Sequence, residues 1–201
     1  VTMTMRVQTG MYRLAAGAGA ALVTAATLTA PASAASDSGQ TSVPLDPVNT
    51  VEMHVDANCT LADSRCTFKT TANLLAGGVP TGFPGDTWAR QTITLRSSDR
   101  TVWQEAFYSA PAGMPRENKG ANHDNVLSAL KKSLNTVEIS VTYFGGGPIE
   151  RFTVDGDSTP IDWYRGHPNT EATFIACSVI QVVRGGSNVT TPPACAQTKF
   201  S

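Results

Sequence analysis

Apolar and polar side chains alternate along residues 51–57, with Val51, Met53, Val55 and Ala57 on one face and Glu52, His54 and Asp56 on the other. A period of two is that of a half-buried β-strand. The stretch CTFKTTA, residues 66–72, answers it, with Phe68 and Ala72 in phase and Lys69 out of phase. The two runs predict a hairpin with Cys59 and Cys66 at its inner ends, where antiparallel neighbours come within reach of a disulfide.

Residues 90–108, RQTITLRSSDRTVWQEAFY, predict a second hairpin. Ile93 and Leu95 alternate with Thr92, Thr94 and Arg96, a Ser-Ser-Asp-Arg turn follows, and Val102–Tyr108 returns. Its facing stays open, because Val102, Ala106 and Tyr108 compete with Trp103 and Phe107 for the core. Val137, Ile139, Val141 and Tyr143 mark a further strand, and 150–155 a shorter one. Residues 172–183, ATFIACSVIQVV, are apolar on both faces and read as a central strand. One helix is predicted, capped by Asn122 with Asp124 in its first turn, its apolar stripe formed by Val126, Leu127, Leu130 and Leu134.

Glycine and proline punctuate 76–89 and 109–121, which read as loops. Residues 35–50 are rich in Ser, Asp and Pro without an apolar period and read as a disordered leader. About seven strands and one short helix in a connection predict an all-β protein, an immunoglobulin-like antiparallel β-sandwich, built as one domain over 51–201. The alternative is an α+β fold in which one antiparallel sheet carries a packed helix.

The N-terminus changes the picture of where this domain works. Arg6 and Arg13 precede an Ala-, Gly- and Thr-rich run from Leu14 to Ala30, and PASA follows, ending at Ala34. This is the order of a secretory signal peptide, residues 1–34, with cleavage expected after Ala34. The run is shorter and less apolar than the roughly 20 residues a bilayer crossing needs. Arginine twice as frequent as lysine, with Val1 as a nonstandard start, suggests a bacterial source.

Removing 1–34 takes two of fifteen cations and none of sixteen anions, leaving a net charge of −3. Nothing basic remains to favour nucleic acid or anionic lipid. Four cysteines in an exported chain predict two disulfides. Closeness in sequence favours Cys59 with Cys66 and Cys177 with Cys195. Six residues between Cys59 and Cys66 do not suit a redox motif, and three scattered histidines do not complete a zinc site.

Catalytic motifs are equally sparse. The chain has neither G-x-S-x-G nor H-E-x-x-H. Adjacent His123 and Asp124 read as helix-start residues. Carboxylate catalysis needs only two acids facing one cleft, so Asp155, Asp157 and Asp162 in DGDSTPID are its candidates, although the motif also reads as a solvated turn. An EF-hand calcium loop is not formed there.

Recognition character concentrates in loops. Trp163, Tyr164, Arg165 and His167 in DWYRGHPN, with Trp88 at the end of the long 76–89 loop, offer flat faces, a planar donor fork and an imidazole. These five residues are the expected binding surface. The leading expectation is a secreted, monomeric, non-catalytic binding or inhibitory module that contacts an extracellular protein or glycan, without cofactor or metal. A carboxylate-dependent extracellular hydrolase is the second reading and a cell-wall-associated structural domain the third.

Overall fold

A computed structural model describes residues 35–120 and 135–201. The predicted signal peptide and the predicted helix with Asn122, His123 and Asp124 lie outside the described residues. The chain order is β1 (Ala35–Pro44), β2 (Asn49–Thr60), β3 (Arg65–Ala76), β4 (Val79–Thr81), β5 (Trp88–Ser97), β6 (Val102–Ser109) and β7 (Glu117–Gly120). After the undescribed segment come β8 (Val137–Phe144), β9 (Thr153–Asp162), β10 (Phe174–Arg184), β11 (Ser187–Thr190) and β12 (Ala194–Thr198).

Seven strands form one antiparallel sheet in the order β1-β2-β3-β9-β6-β7, with β4 beside the end of β3. Five form the other in the order β11-β10-β5-β8, with β12 beside the start of β10. The result is an all-β sandwich of two antiparallel sheets, larger than the roughly seven to nine strands of immunoglobulin domains. A single sheet under one helix, the alternative, does not form, because β5 pairs with β8 on one side and β10 on the other in a second sheet.

Alternation dictates what each strand buries. Val51, Met53, Val55 and Ala57 of β2 face Phe68, Ala72 and Leu74 of β3 and, across the sandwich, Ile93 and Leu95 of β5, Val137 and Ile139 of β8 and Phe174, Ile180 and Val182 of β10. On β6 the inward set is Val102, Gln104 and Ala106, all fully buried, while Phe107 turns outward and stays 39% exposed. Phe83 of the long 76–89 loop enters the core at one end, its ring 4.7 Å from Phe152, which is itself 4.7 Å from Tyr143. The Gly147 N–H donates to the Phe83 carbonyl at 2.8 Å and pins that loop.

Residues 35–44 are a strand rather than the start of a disordered leader. β1 pairs with β2 along its whole length, from Ala35 opposite Cys59 to Pro44 opposite Thr50. Its inner face meets β12 through hydrogen bonds. The Gln197 N–H donates to Asp37 Oδ2 at 2.7 Å, Thr198 Oγ1 to the Ala35 carbonyl at 2.9 Å, and Thr41 Oγ1 to the Pro192 carbonyl at 2.7 Å. At Gly39 the approach is so close that a Cβ would overlap the Cys195 backbone. A strand seated on another strand's backbone needs no apolar stripe, so period alone does not reveal it.

The DGDSTPID stretch is also a strand and not a turn: β9 runs between β3 and β6 in the middle of its sheet. Gly156 fills the inward position there because a Cβ would meet the Phe68 ring and the Phe107 carbonyl.

Both disulfides link registered cross-strand pairs, Cys59 with Cys66 on β2 and β3, and Cys177 with Cys195 on β10 and β12. Cys59 and Cys66 are completely buried, whereas Cys195 is exposed and Cys177 half-buried. No described helix is long and apolar enough to cross a membrane.

Candidate functional site

The register separates the residues expected to bind together. Trp88 opens β5, opposite Phe144 of β8 and Val183 of β10 on the outer face of the five-stranded sheet. The 162–169 loop follows β9 and returns to Phe174, which pairs with Ser97 at the other end of β5. β5, ten residues from Trp88 to Ser97, separates them by about 30 Å at roughly 3.3 Å per residue. Trp88 therefore cannot share a contact surface with Trp163, Tyr164, Arg165 and His167.

The loop itself is organised by Asp162, whose Oδ1 accepts the Tyr164 and Arg165 N–H groups, both at 2.9 Å. Those bonds, the Arg165 N–H first, hold the Asp162 carboxyl below its ordinary range. His167 Nδ1 lies 3.1 Å from the Pro168 carbonyl, and the Trp163 N–H donates to the Thr101 carbonyl at 2.7 Å. Trp163 is 48% and Tyr164 82% exposed. The hollow beside Arg165 and His167 measures about 130 Å³, well below the roughly 300–1,000 Å³ of small-ligand sites.

A more extensive site lies on the outer face of the seven-stranded sheet, where β-register assembles polar side chains in rows. One row runs Ser109, Asp155, Lys69, Asp56, Ser38 across β6, β9, β3, β2 and β1. The next runs Phe107, Asp157, Thr67, Asn58, Ser36 across the same strands. On the other side lie Thr153, Thr71, His54 and Gln40, then Asn73 and Glu52.

Three depressions of about 650, 540 and 410 Å³ hollow this face, and Lys69 borders all three. Directly opposed residues on one face have Cβ atoms about 5 Å apart, so the exposed Lys69 has Asp56 and Asp155 as its neighbours on the two adjacent strands. Asp155 Oδ1 is buried and, among the described residues, accepts no hydrogen bond. A buried acceptor left so costs about 1–3 kcal/mol.

Two fixed clusters flank this row. On one side the Glu52 carboxylate, buried although it sits on an outer face, accepts from Gln40 Nε2 and Asn73 Nδ2, each at 2.9 Å. His54 Nε2 donates to Asn73 Oδ1 at 3.0 Å and lies 3.5 Å from Glu52 Oε2. On the other side the buried Asp157 carboxylate pairs with Arg116 and, at 3.4 Å, with Arg65. Rigid walls thus hold an open Lys69–Asp155 centre, with Phe107 exposed beside them.

Sequence reasoning read Glu52, His54 and Asp56 correctly as one polar strand face but did not assemble this site. Its parts come from five strands, and which residue opposes which is set by register that no single strand records. The one available signal was the density of charge and amide on the polar side of 52–58 and 67–73.

No protein-family model matches the chain, and no characterised protein has a matching sequence. The functional reading therefore rests on this geometry.

Proposed function

We propose that the protein is a secreted, non-catalytic binding module whose ligand is a glycan laid across the outer face of the seven-stranded sheet, centred on Lys69 and Asp155. The observation that carries the reading is the buried Asp155 Oδ1, without a hydrogen-bond partner among the described residues, on the residue registered opposite the exposed Lys69 along a polar sheet face. A carboxylate acceptor beside an ammonium donor suits neighbouring hydroxyl groups, each of which both donates and accepts. Phe107 supplies an apolar patch for the flank of a sugar ring. Secretion is supported by the basic, apolar and small-residue order of 1–34 and by two disulfides, which require an oxidising compartment. Arginine twice as frequent as lysine fits a bacterial producer.

Hydrolysis through Asp157 and Asp162 has less support, since Asp157 is engaged by two arginines and Asp162 by the backbone of its own turn. A cell-wall-associated structural domain has less support, because Ala35–Pro44, which would have served as a mobile leader, belongs to the sheet.

The test is calorimetric titration of extracellular polysaccharides and their oligomers into the purified mature protein. For a glycan that binds, Lys69→Ala and Asp155→Asn should each weaken affinity on the order of tenfold, about 1.4 kcal/mol. Trp88→Ala and Tyr164→Ala should leave it unchanged. Loss of binding in the Tyr164 variant with retention in both the Lys69 and Asp155 variants would return the site to the 162–169 loop.

A further inference from the structure

The two disulfides are chemically unequal. Cys59 and Cys66 are sealed inside the sandwich, whereas Cys177 and Cys195 lie on the outer face of the five-stranded sheet, Cys195 exposed to solvent. That bond borders a shallow, mostly apolar groove of about 440 Å³, whose other walls include Thr92, Thr94, Arg96, Val179 and Pro193. The volume lies within the range, roughly 300–1,000 Å³, that takes a small organic ligand. Arg96 adds a cation to the rim, and a cation near sulfur favours the thiolate over the thiol.

From this contrast we infer that Cys177–Cys195 is a thiol-exchange site, with a low-molecular-weight thiol of cysteine to tripeptide size as its reaction partner. Exchange follows thiolate access to a disulfide sulfur. The incoming thiolate attacks the sulfur of Cys195, the more exposed residue of the two. The Cys177–Cys195 bond breaks, and Cys177 leaves as a thiolate that takes a proton from water. The product is a mixed disulfide on Cys195. A second thiol molecule then attacks the sulfur of the adduct, releasing reduced Cys195 and the symmetric disulfide of the small thiol. Two external thiols are oxidised as one protein disulfide is reduced.

The same bond fastens the C-terminal strand. β12 pairs with β10 and lies against the inner face of β1, so opening the bond leaves it held by hydrogen bonds and packing alone. This inference is independent of glycan binding, which involves the other sheet.

The experiment incubates the native, oxidised protein with millimolar reduced glutathione at pH 8, quenches with an alkylating agent at intervals, and maps labelled cysteines by mass spectrometry. Tryptophan fluorescence reports global unfolding in parallel. Cys177 and Cys195 should become labelled, with glutathione transiently on Cys195, at a rate on the order of ten times or more that of Cys59 and Cys66. Fluorescence should stay native meanwhile. Equal rates for the two pairs, earlier opening of Cys59–Cys66, or no labelling before fluorescence changes would each overturn the inference. Cys177→Ser should trap a stable glutathione adduct on Cys195. If that variant does not fold, the wild-type labelling order still decides the matter.

Discussion

Gln91 sits fully buried between the sheets, its amide Nε2 donating to Thr70 Oγ1 at 2.7 Å and its Oε1 accepting from the Tyr143 hydroxyl at 3.0 Å. One side chain thereby ties β3 of one sheet to β5 and β8 of the other. Tyr143→Phe removes the donor and leaves Gln91 Oε1 buried without a partner. The expected cost is about 1–3 kcal/mol by urea unfolding at neutral pH. Burial also raises the Tyr143 hydroxyl well above its ordinary value. The unfolded chain ionises this group near pH 10 while the folded chain keeps it neutral. Its contribution is thus complete below about pH 10 and lost as pH rises further. Urea midpoints measured across that limb should fall less steeply in the Phe variant than in the wild type. Gln91 was legible as inward, since it shares phase with Ile93 and Leu95. Its partners were not, because they come from strands far away in sequence.

At the level of elements, the strands seen in the sequence are those whose inner faces are made of side chains. β2, β3, β5 and β8 each bury an apolar stripe and show it as a period, and β10 shows as a continuous apolar run. β1 hides because between Ala35 and Val43 its inner face is Asp37, Gly39 and Thr41, seated on the 192–197 segment by hydrogen bonds and close backbone approach. The later half of β9 hides because Gly156 and Asp157 imitate a turn. Replacing Gly39 by Ala forces β1 away from the Cys195 backbone, with an expected loss of about 1–3 kcal/mol. Hydrogen exchange should become faster along 35–44 than along β5 or β10. Stability should respond to the buried clasp too. Replacing both Cys59 and Cys66 by Ser, which opens a loop of about eight residues, should lower unfolding free energy by about 2.5 kcal/mol.

Across the whole molecule, the two outer faces differ in character and stand on opposite sides of the core. The seven-stranded face carries carboxylates, amides and Lys69, and the five-stranded face carries Trp88, Phe144 and the exposed disulfide. Distant sites without shared partners behave additively. A glutathione cap on Cys195 should therefore leave glycan affinity unchanged in calorimetry, and saturating glycan should leave the rate of exchange unchanged. The first and last described strands face each other across the sandwich, joined by the hydrogen bond from Thr198 to the Ala35 carbonyl, and Leu61 donates its N–H to the Ser201 carbonyl nearby. Tension applied through both ends of the domain would enter at this one corner and unzip strands singly instead of shearing a whole ladder at once. On the C-terminal side a covalent stop waits at Cys195, only a few residues in. On the N-terminal side β1 has none, so it peels first, and the domain extends under load from its N-terminal strand while its core stays closed.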